Sequence, residues 1–184
     1  LQMFGGDMYI VNILGMSVVR ELGPLLAAIL VAGRSGSSIT AQLGVMRVTE
    51  ELDAMLVMGI SHGYRLIMPK VVALAISMPL LVVWTDAMAL LGGMVSAKIE
   101  MGMSFRYFLQ KLPDAVPFVN YTIGLLKGAT FGVLIALIAC HFGLRIKPNT
   151  ESLGRGTTTS VVTAITVVIL AELMRSTGVS PAAA

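Results

Sequence analysis

Charged residues are scarce in this chain, and their scarcity excludes most soluble proteins. Of its 184 residues only 12% are charged and 6% aromatic, whereas 56% are hydrophobic. A soluble globular domain normally contains about 25% charged residues. Together with a mean hydropathy of +0.87, this composition is that of an integral membrane protein. The formal net charge of +3 is too small to indicate nucleic-acid binding.

Cysteine, metal-ligand clusters and catalytic motifs are missing as well. The single cysteine, Cys140, excludes an intrachain disulfide and is expected to be a small buried hydrophobe. The two histidines, His62 and His141, stand far apart and belong to no cluster of cysteines or carboxylates, so no metal site is predicted. No segment reads G-x-x-x-x-G-K-[ST]; the nearest, GLLKGATFG at 124–132, has its lysine in the wrong place. We therefore expect no cofactor in this chain and no enzyme activity of its own.

Four apolar stretches are long enough to cross a membrane, which takes about 20 residues. The first begins within 10–22 and reaches about residue 46, and the others cover about 67–97, 117–142 and 157–176. Each of the three connections is associated with three basic residues, so the positive-inside rule does not orient the chain. The sequence predicts an all-α integral membrane protein, a four-span helical bundle forming one domain over residues 1–184.

Six ionisable residues lie inside or at the margins of these stretches, and they need an explanation. An unpaired charge at the bilayer centre costs about 2.5–3.5 kcal/mol on insertion scales, so each must form a pair, reach the interface or face water. Structural ion pairs and a functional site remain equally open for any one of them. Adjacent residues point about 100° apart on a helix, so Arg20 and Glu21 are expected to have different partners. The six are Arg20, Glu21, Arg34, Asp86, Lys127 and Glu172, and we expect Arg34 to pair with Asp86.

A short amphipathic helix is predicted at 48–59, VTEELDAMLVMG. Thr49 is expected to cap its start and Gly59 to stop it, with three acidic residues in the first turn. Its acidic face disfavours anionic lipid and favours a groove in a partner protein over the membrane surface. The apolar positions follow one helical stripe: Val48, Leu52, Met55, Leu56 and Gly59.

Small residues recur every fourth position along the first stretch, in two adjacent tracks. Such tracks let helix backbones approach closely in lipid. Packing against the chain's own helices and packing against a second copy are both open. The tracks are Ala32, Gly36, Thr40 and Gly44, and Gly33, Ser37 and Ala41.

Residues 20–60, RELGPLLAAILVAGRSGSSITAQLGVMRVTEELDAMLVMGI, resemble the characteristic region of the MlaE/YrbE permeases. These are the membrane subunits of ABC lipid transporters that work with MCE proteins. The resemblance continues through MPKVVALAISMPLL at 68–81 and RGTTTSVV at 155–162. It implies phospholipid as cargo, a homodimer in the bacterial inner membrane, and a separate ABC ATPase subunit that binds ATP and Mg. An MCE-domain periplasmic protein and a STAS-domain cytoplasmic protein are the further partners it implies.

The same resemblance assigns roles to residues and an orientation to the chain. The family has an N-terminal interfacial helix and five spans, so we expect this chain, which begins LQMFGGD, to lack the interfacial helix and the first span. Residues 47–66 and 143–156 are then cytoplasmic and 98–116 periplasmic. The implied lipid-cavity residues are Arg20, Glu21, Leu25, Lys127 and Glu172. The 48–59 helix corresponds to the coupling helix that docks on the ATPase, and the implied contacts are Glu50, Glu51, Asp53, Met55 and Leu56.

The chain departs from the family pattern at two places. Ser61 and His62 stand where the family often has Asp and Pro, and Glu172 stands where it more often has Asp. Two other functions compete with the permease. A secondary carrier or channel could use the intramembrane charges as an ion relay, and a non-transporting scaffold could use them only as structural bridges. The carrier leaves the acidic amphipathic helix between two spans unexplained, and the scaffold predicts that neutralising paired charges together is harmless.

Overall fold

The computed structural model describes residues 13, 15–102, 105–115 and 118–176, and all regular structure in these ranges is helical. Three short π-helical segments interrupt or precede the α-helices of the first two spans. They are Val18–Leu22, Ala32–Gly36 and Gly63–Ile67. The α-helices are Gly23–Val31, Ser37–Val48, Glu51–Val57, Met68–Met101, Phe105–Ala115, Phe118–Leu144 and Thr150–Ser176.

Four helical stretches in the described ranges are long and apolar enough to span a membrane. We call Gly15–Val48, Gly63–Ile99, Phe118–Leu144 and Thr150–Arg175 spans 1 to 4. The prediction of an all-α integral membrane protein is confirmed. Half of the most apolar window is buried in spans 1 and 3, against 17% in spans 2 and 4. Spans 2 and 4 therefore offer most of their apolar surface to lipid or to other subunits.

Span 4 begins well before the predicted residue 157. The side-chain oxygen Oδ1 of Asn149 accepts a hydrogen bond from the backbone N–H of Ser152 at 2.6 Å, which caps the helix start. The helix then runs through a polar first turn that hydropathy alone does not recognise as part of a span. Only five residues, 145–149, separate it from span 3.

The predicted connection 98–116 is mostly helical, contrary to expectation. The helix of span 2 continues to Met101, and Gly102 ends it with a left-handed φ of +67°. A second, amphipathic helix, Phe105–Ala115, follows. The apolar spacing of Phe105, Phe108, Leu109 and Leu112 is the signal that indicates it.

The chain divides into two compact units. Unit 1 comprises the residues up to Ala27 and Pro79–Gly128, and unit 2 comprises Ala28–Met78 and the residues from Ala129 onward. In unit 1, Val19, Ala97 and Phe108 form a buried cluster, so the 105–115 helix contributes to the interior of this unit. In unit 2, Leu43, Ile135 and Val168 are fully buried.

The first small-residue track is an interface within this chain. In unit 2 its Thr40 hydroxyl lies 3.1 Å from the carbonyl oxygen of Ala139 in span 3 and 2.8 Å from the Ser160 hydroxyl in span 4. A methyl group added to Gly36 would lie 3.4 Å from Ile135 Cγ2. Close approach of three helices thus accounts for the small residues of this track.

The second track is exposed at its first residue. A methyl group on Gly33 would meet no atom within 4 Å among the described residues, and the Ser37 hydroxyl donates to the Gly33 carbonyl of its own helix at 2.6 Å. Ser37 and Ala41 are half-buried, so a contact with a second copy remains open for this track, mainly at Gly33.

Candidate functional site

Pro24 determines the backbone hydrogen bonding near the beginning of span 1. It is fully buried and has no N–H, so the carbonyl of Arg20 loses its usual donor four residues later. The preceding segment Val18–Leu22 is π-helical, with the Gly23 N–H bonded to the Val18 carbonyl. Residue 24 would be the donor for the Val19 carbonyl in the π-helical register and for the Arg20 carbonyl in the α-helical register, so Pro24 removes a backbone donor from both. Turns of this π-helical kind often occur at functional sites.

Span 3 contacts both of these carbonyls. The Lys127 ammonium donates to the Arg20 carbonyl at 3.1 Å. Gly124, one turn earlier, lies so close to span 1 that a methyl group on it would be 2.7 Å from the Val19 carbonyl oxygen. Gly124 and Lys127 thus form one helical face that fits the π-helical turn.

Three charges meet at this contact in unit 1. Glu21 Oε2 lies 2.7 Å from Lys127 Nζ, and Glu21 Oε1 lies 3.2 Å from Arg20 Nε. The prediction that Arg20 and Glu21 do not pair with each other is wrong, because both side chains are long enough to reach around the 100° between them. The Lys127 side chain is 3% exposed, whereas those of Arg20 and Glu21 are 49% and 39% exposed. The cluster therefore has a buried cation, a bridging carboxylate and an accessible cation.

Asp86 lies elsewhere in unit 1. Its carboxylate packs against Gly23, where any side chain would overlap it, and its buried Oδ1 has no hydrogen-bond partner among the described residues. Arg34 belongs to unit 2, is exposed in the π-helical segment Ala32–Gly36, and makes no ion pair with a described residue. Arg34 and Asp86 belong to different units, and their pairing remains a prediction.

The other predicted cavity residues remain predictions. Leu25 is half-buried, four residues after Glu21, and Glu172 is half-buried in unit 2. The structure brings together Arg20, Glu21 and Lys127 of the predicted set.

The short helix after span 1 starts later than predicted. Val48 is the last residue of the preceding helix, and Thr49 bonds its hydroxyl back to the Val45 carbonyl at 3.1 Å. Thr49 therefore belongs to the end of one helix instead of capping the next, a common use of threonine hydroxyls. Glu50 turns the chain with a left-handed φ of +61°, and the helix covers Glu51–Val57.

The end of this helix is built as predicted, around Gly59. Its φ is +74°; its N–H bonds the Leu56 carbonyl at 2.9 Å, and the next N–H, of Ile60, bonds the Met55 carbonyl at 3.0 Å. These two hydrogen bonds together form the Schellman motif. His62 Nε2 lies 2.8 Å from the Leu52 carbonyl, so the residue that departs from the family pattern anchors the helix to the turn that follows it.

The 51–57 helix presents one face to unit 2 and another to the surroundings. Leu52 is buried, and Asp53 Oδ1 binds Arg47 Nη1 at 2.8 Å. Glu50 and Glu51 are exposed and Met55 is half-buried. At the end of the helix, Leu56, Val57 and Met58 are 58%, 89% and 65% exposed. We call these three residues the apolar tip; Val57 and Met58 were missed because they lie off the predicted stripe.

The fold and these features define a polytopic membrane protein with a charge cluster that joins spans 1 and 3 and a short exposed helix between two spans. The chain matches the family model described as Permease MlaE over residues 1–177, and it belongs to the MlaE permease family.

Curated relatives agree with this membership. The chain is 32% identical to a probable ABC transporter permease protein of Rickettsia bellii over 171 residues, covering 93% of this chain and 66% of that protein. A probable ABC transporter permease protein of Synechocystis is 32% identical over 173 residues, 94% of this chain and 66% of the relative. The intermembrane phospholipid transport system permease protein MlaE of Haemophilus influenzae is 33% identical over 168 residues, 90% of this chain and 64% of that protein. The chain thus spans just under two thirds of the length of these relatives.

Proposed function

We propose that this chain is the membrane-spanning part of an ABC permease that moves phospholipid between the inner and outer membranes and maintains outer-membrane lipid asymmetry. A separate ATPase subunit, which binds ATP and Mg, supplies the energy. The permease works as a homodimer in the bacterial inner membrane, with an MCE-domain periplasmic protein and a STAS-domain cytoplasmic protein as partners. The observation that carries the proposal is the cluster that Arg20 and Glu21 of span 1 form with Lys127 of span 3.

The cluster suits a phospholipid headgroup. Glu21 engages the Nε of Arg20, which fixes the guanidinium and leaves its terminal nitrogens to bind a phosphate in two-pronged fashion. Lys127 holds Glu21 from the buried side. Leu22 and Leu26, on the same helix, are about half exposed and supply apolar surface for acyl chains.

The 51–57 helix suits the ATPase. Its apolar tip and its acidic residues Glu50 and Glu51 are exposed, and its inner face is fixed by Leu52 and His62. A short helix with an exposed apolar end docks readily in a groove of a partner protein. Span 1 carries Arg20 and Glu21 of the charge cluster near its beginning and is followed directly by this helix, so ATP-driven movement of the ATPase would act on these two residues through one span.

The second small-residue track, Gly33, Ser37 and Ala41, supports the homodimer. Small residues at every fourth position permit close helix approach in lipid, and no described residue packs against the position of a side chain at Gly33. We place the contact with the second copy along this track.

Purification of the complete protein in mild detergent, followed by mass spectrometry of everything bound, tests the proposal as a whole. Recovery of an ATPase, an MCE protein and stoichiometric phospholipid would support it. A folded protein that emerges alone and lipid-free would overturn it and favour the secondary carrier.

Arg20→Gln tests the headgroup site more sharply than a change at Glu21. Arg20 is accessible, and its loss leaves the Glu21–Lys127 pair in place, so the protein should remain folded while lipid transport falls. Arg34→Gln is the matched control, since it removes an exposed arginine of the same span. Equal lipid transport by the two variants would show that Arg20 is not part of the lipid site.

Val57→Asp tests the docking helix. Val57 is 89% exposed, so the change leaves the fold intact but puts a charge into the proposed groove, and the ATPase should no longer co-purify. Ser61→Asp adds the same charge at an exposed position just beyond the helix and should retain the ATPase. Charge reversal at Glu50, Glu51 and Asp53 together should also release it; if the ATPase stays bound to both Val57→Asp and this triple variant, the docking assignment is wrong.

A further inference from the structure

A cavity of about 430 Å³ lies in unit 2 where span 3 passes into span 4. Its size is in the usual range for small-ligand pockets. Its lining includes three basic side chains and one carboxylate, a formal charge of +2: Arg145, Lys147, Arg155 and Glu151. We call it the basic pocket. Its lining residues all belong to unit 2, and the proposed transport function does not use them.

The walls of the basic pocket are fixed by buried packing. Ile146, between the two basic residues of the connection, is 5% exposed. A methyl group on Gly156 would lie 2.9 Å from Ile146 Cγ1, so Ile146 fills the space that this glycine leaves. The connection is also tied to span 4, because the Ser152 hydroxyl donates to the Lys147 carbonyl at 2.6 Å. Arg145 and Lys147 are thus held on either side of an anchored residue.

The three basic side chains of the pocket differ in how far they are free to bind an anion. Arg155 Nη2 lies 3.2 Å from Glu151 Oε1, which leaves Arg155 partly neutralised. The side chains of Arg145 and Lys147 are exposed and have no ion-pair or hydrogen-bond partner among the described residues. The basic pocket therefore offers two cations in a fixed concave site and a third cation that is paired with a carboxylate. This arrangement attracts an anion with several acceptor oxygens.

The location identifies the source of that anion. Span 3 ends at Leu144 and span 4 begins at Thr150, so the pocket lies at the membrane boundary, where lipid phosphates are concentrated. Basic pockets between spanning helices at this depth bind anionic headgroups. We propose that the basic pocket binds the phosphate of an anionic phospholipid such as phosphatidylglycerol, as a resident lipid at the protein surface.

Native mass spectrometry of the complete protein in neutral detergent tests this proposal. Phosphatidylglycerol and phosphatidylcholine are titrated separately, with inorganic phosphate in a third series. Each Lys or Arg near a membrane surface contributes about a fivefold gain in anionic-lipid affinity, so Arg145→Gln with Lys147→Gln should weaken phosphatidylglycerol binding roughly 25-fold. Phosphatidylcholine binding should change little.

Glu151→Gln gives a test of opposite sign. It releases Arg155 into the pocket, so phosphatidylglycerol should bind several-fold more tightly, which neither misfolding nor a purely structural role of the pocket would produce. Arg65→Gln is the charge control: Arg65 is an exposed arginine at the beginning of span 2, outside the pocket, and its loss removes one positive charge, half of what the double variant removes, and should not affect binding. Arg20→Gln should leave this binding intact even if it abolishes transport, so failure of the two proposals can be told apart.

Four results would overturn the proposal. A weakening of about fivefold by Arg65→Gln, the effect of one charge, would mean that only the overall charge attracts the lipid. Binding of inorganic phosphate with no preference for phosphatidylglycerol over phosphatidylcholine would assign the pocket to a soluble anion. Unchanged binding in the double variant, or weaker binding in Glu151→Gln, would exclude the pocket.

Discussion

Replacement of Gly124 by alanine should separate span 3 from the π-helical turn of span 1. The added methyl group would lie 2.7 Å from the Val19 carbonyl oxygen, whereas ordinary contact begins near 3.4 Å, so the helices must part by about 0.7 Å. Overpacking of this kind costs about 1–3 kcal/mol. The same movement would stretch the bond from Lys127 to the Arg20 carbonyl from 3.1 Å beyond hydrogen-bond distance.

Gly92→Ala is the matched control for this substitution. Gly92 lies within the helix of span 2, and a methyl group there would meet no atom within 4 Å. Both variants gain the helix propensity of alanine, about 1 kcal/mol, so the difference between their unfolding free energies isolates the overlap at Gly124. We expect Gly124→Ala to be less stable by about 1–3 kcal/mol.

The chain itself provides the assay. Cys140 is its single cysteine and is buried, so a thiol-reactive dye reports unfolding of the protein in detergent. Gly124→Ala should also transport less lipid than Gly92→Ala, because the loosened Lys127 no longer fixes Glu21. Equal stability of the two variants would refute the close contact between Gly124 and the π-helical turn.

Three further substitutions test the local geometry, each by thermal unfolding. Glu50→Gly should stabilise the protein by up to about 1 kcal/mol, because the left-handed φ of Glu50 costs about 1–2 kcal/mol and the flexibility of glycine offsets only part; a loss of stability would contradict this. Gly59→Ala should destabilise by about 1 kcal/mol at its φ of +74°, and a neutral result would exclude the helix end described above. Thr40→Val removes the hydroxyl shared with Ala139 and Ser160 and should cost about 0.6–1.7 kcal/mol, as interhelical bonds in membranes do; no change would show that the three-helix contact rests on shape alone.

The sequence predicted the features that depend on neighbours along the chain. Hydropathy located the four spans, and Gly59 marked the end of the short helix because only glycine adopts a left-handed φ without strain. The 105–115 helix had the right periodicity but was read as a connection, and Thr49 was assigned to the wrong helix because its hydroxyl serves a helix end as well as a helix start.

Other features depended on which helices meet. Composition showed that the intramembrane charges need partners, but only the fold joined Glu21 to Lys127, 106 residues away. It also showed Arg34 exposed and Asp86 packed against Gly23. The four small residues from Ala32 to Gly44 were open to two uses, and the packing around Gly36, Thr40 and Gly44 against spans 3 and 4 decided one of them. Pairing and close approach across helices depend on three-dimensional register, which the order of residues along one helix does not contain.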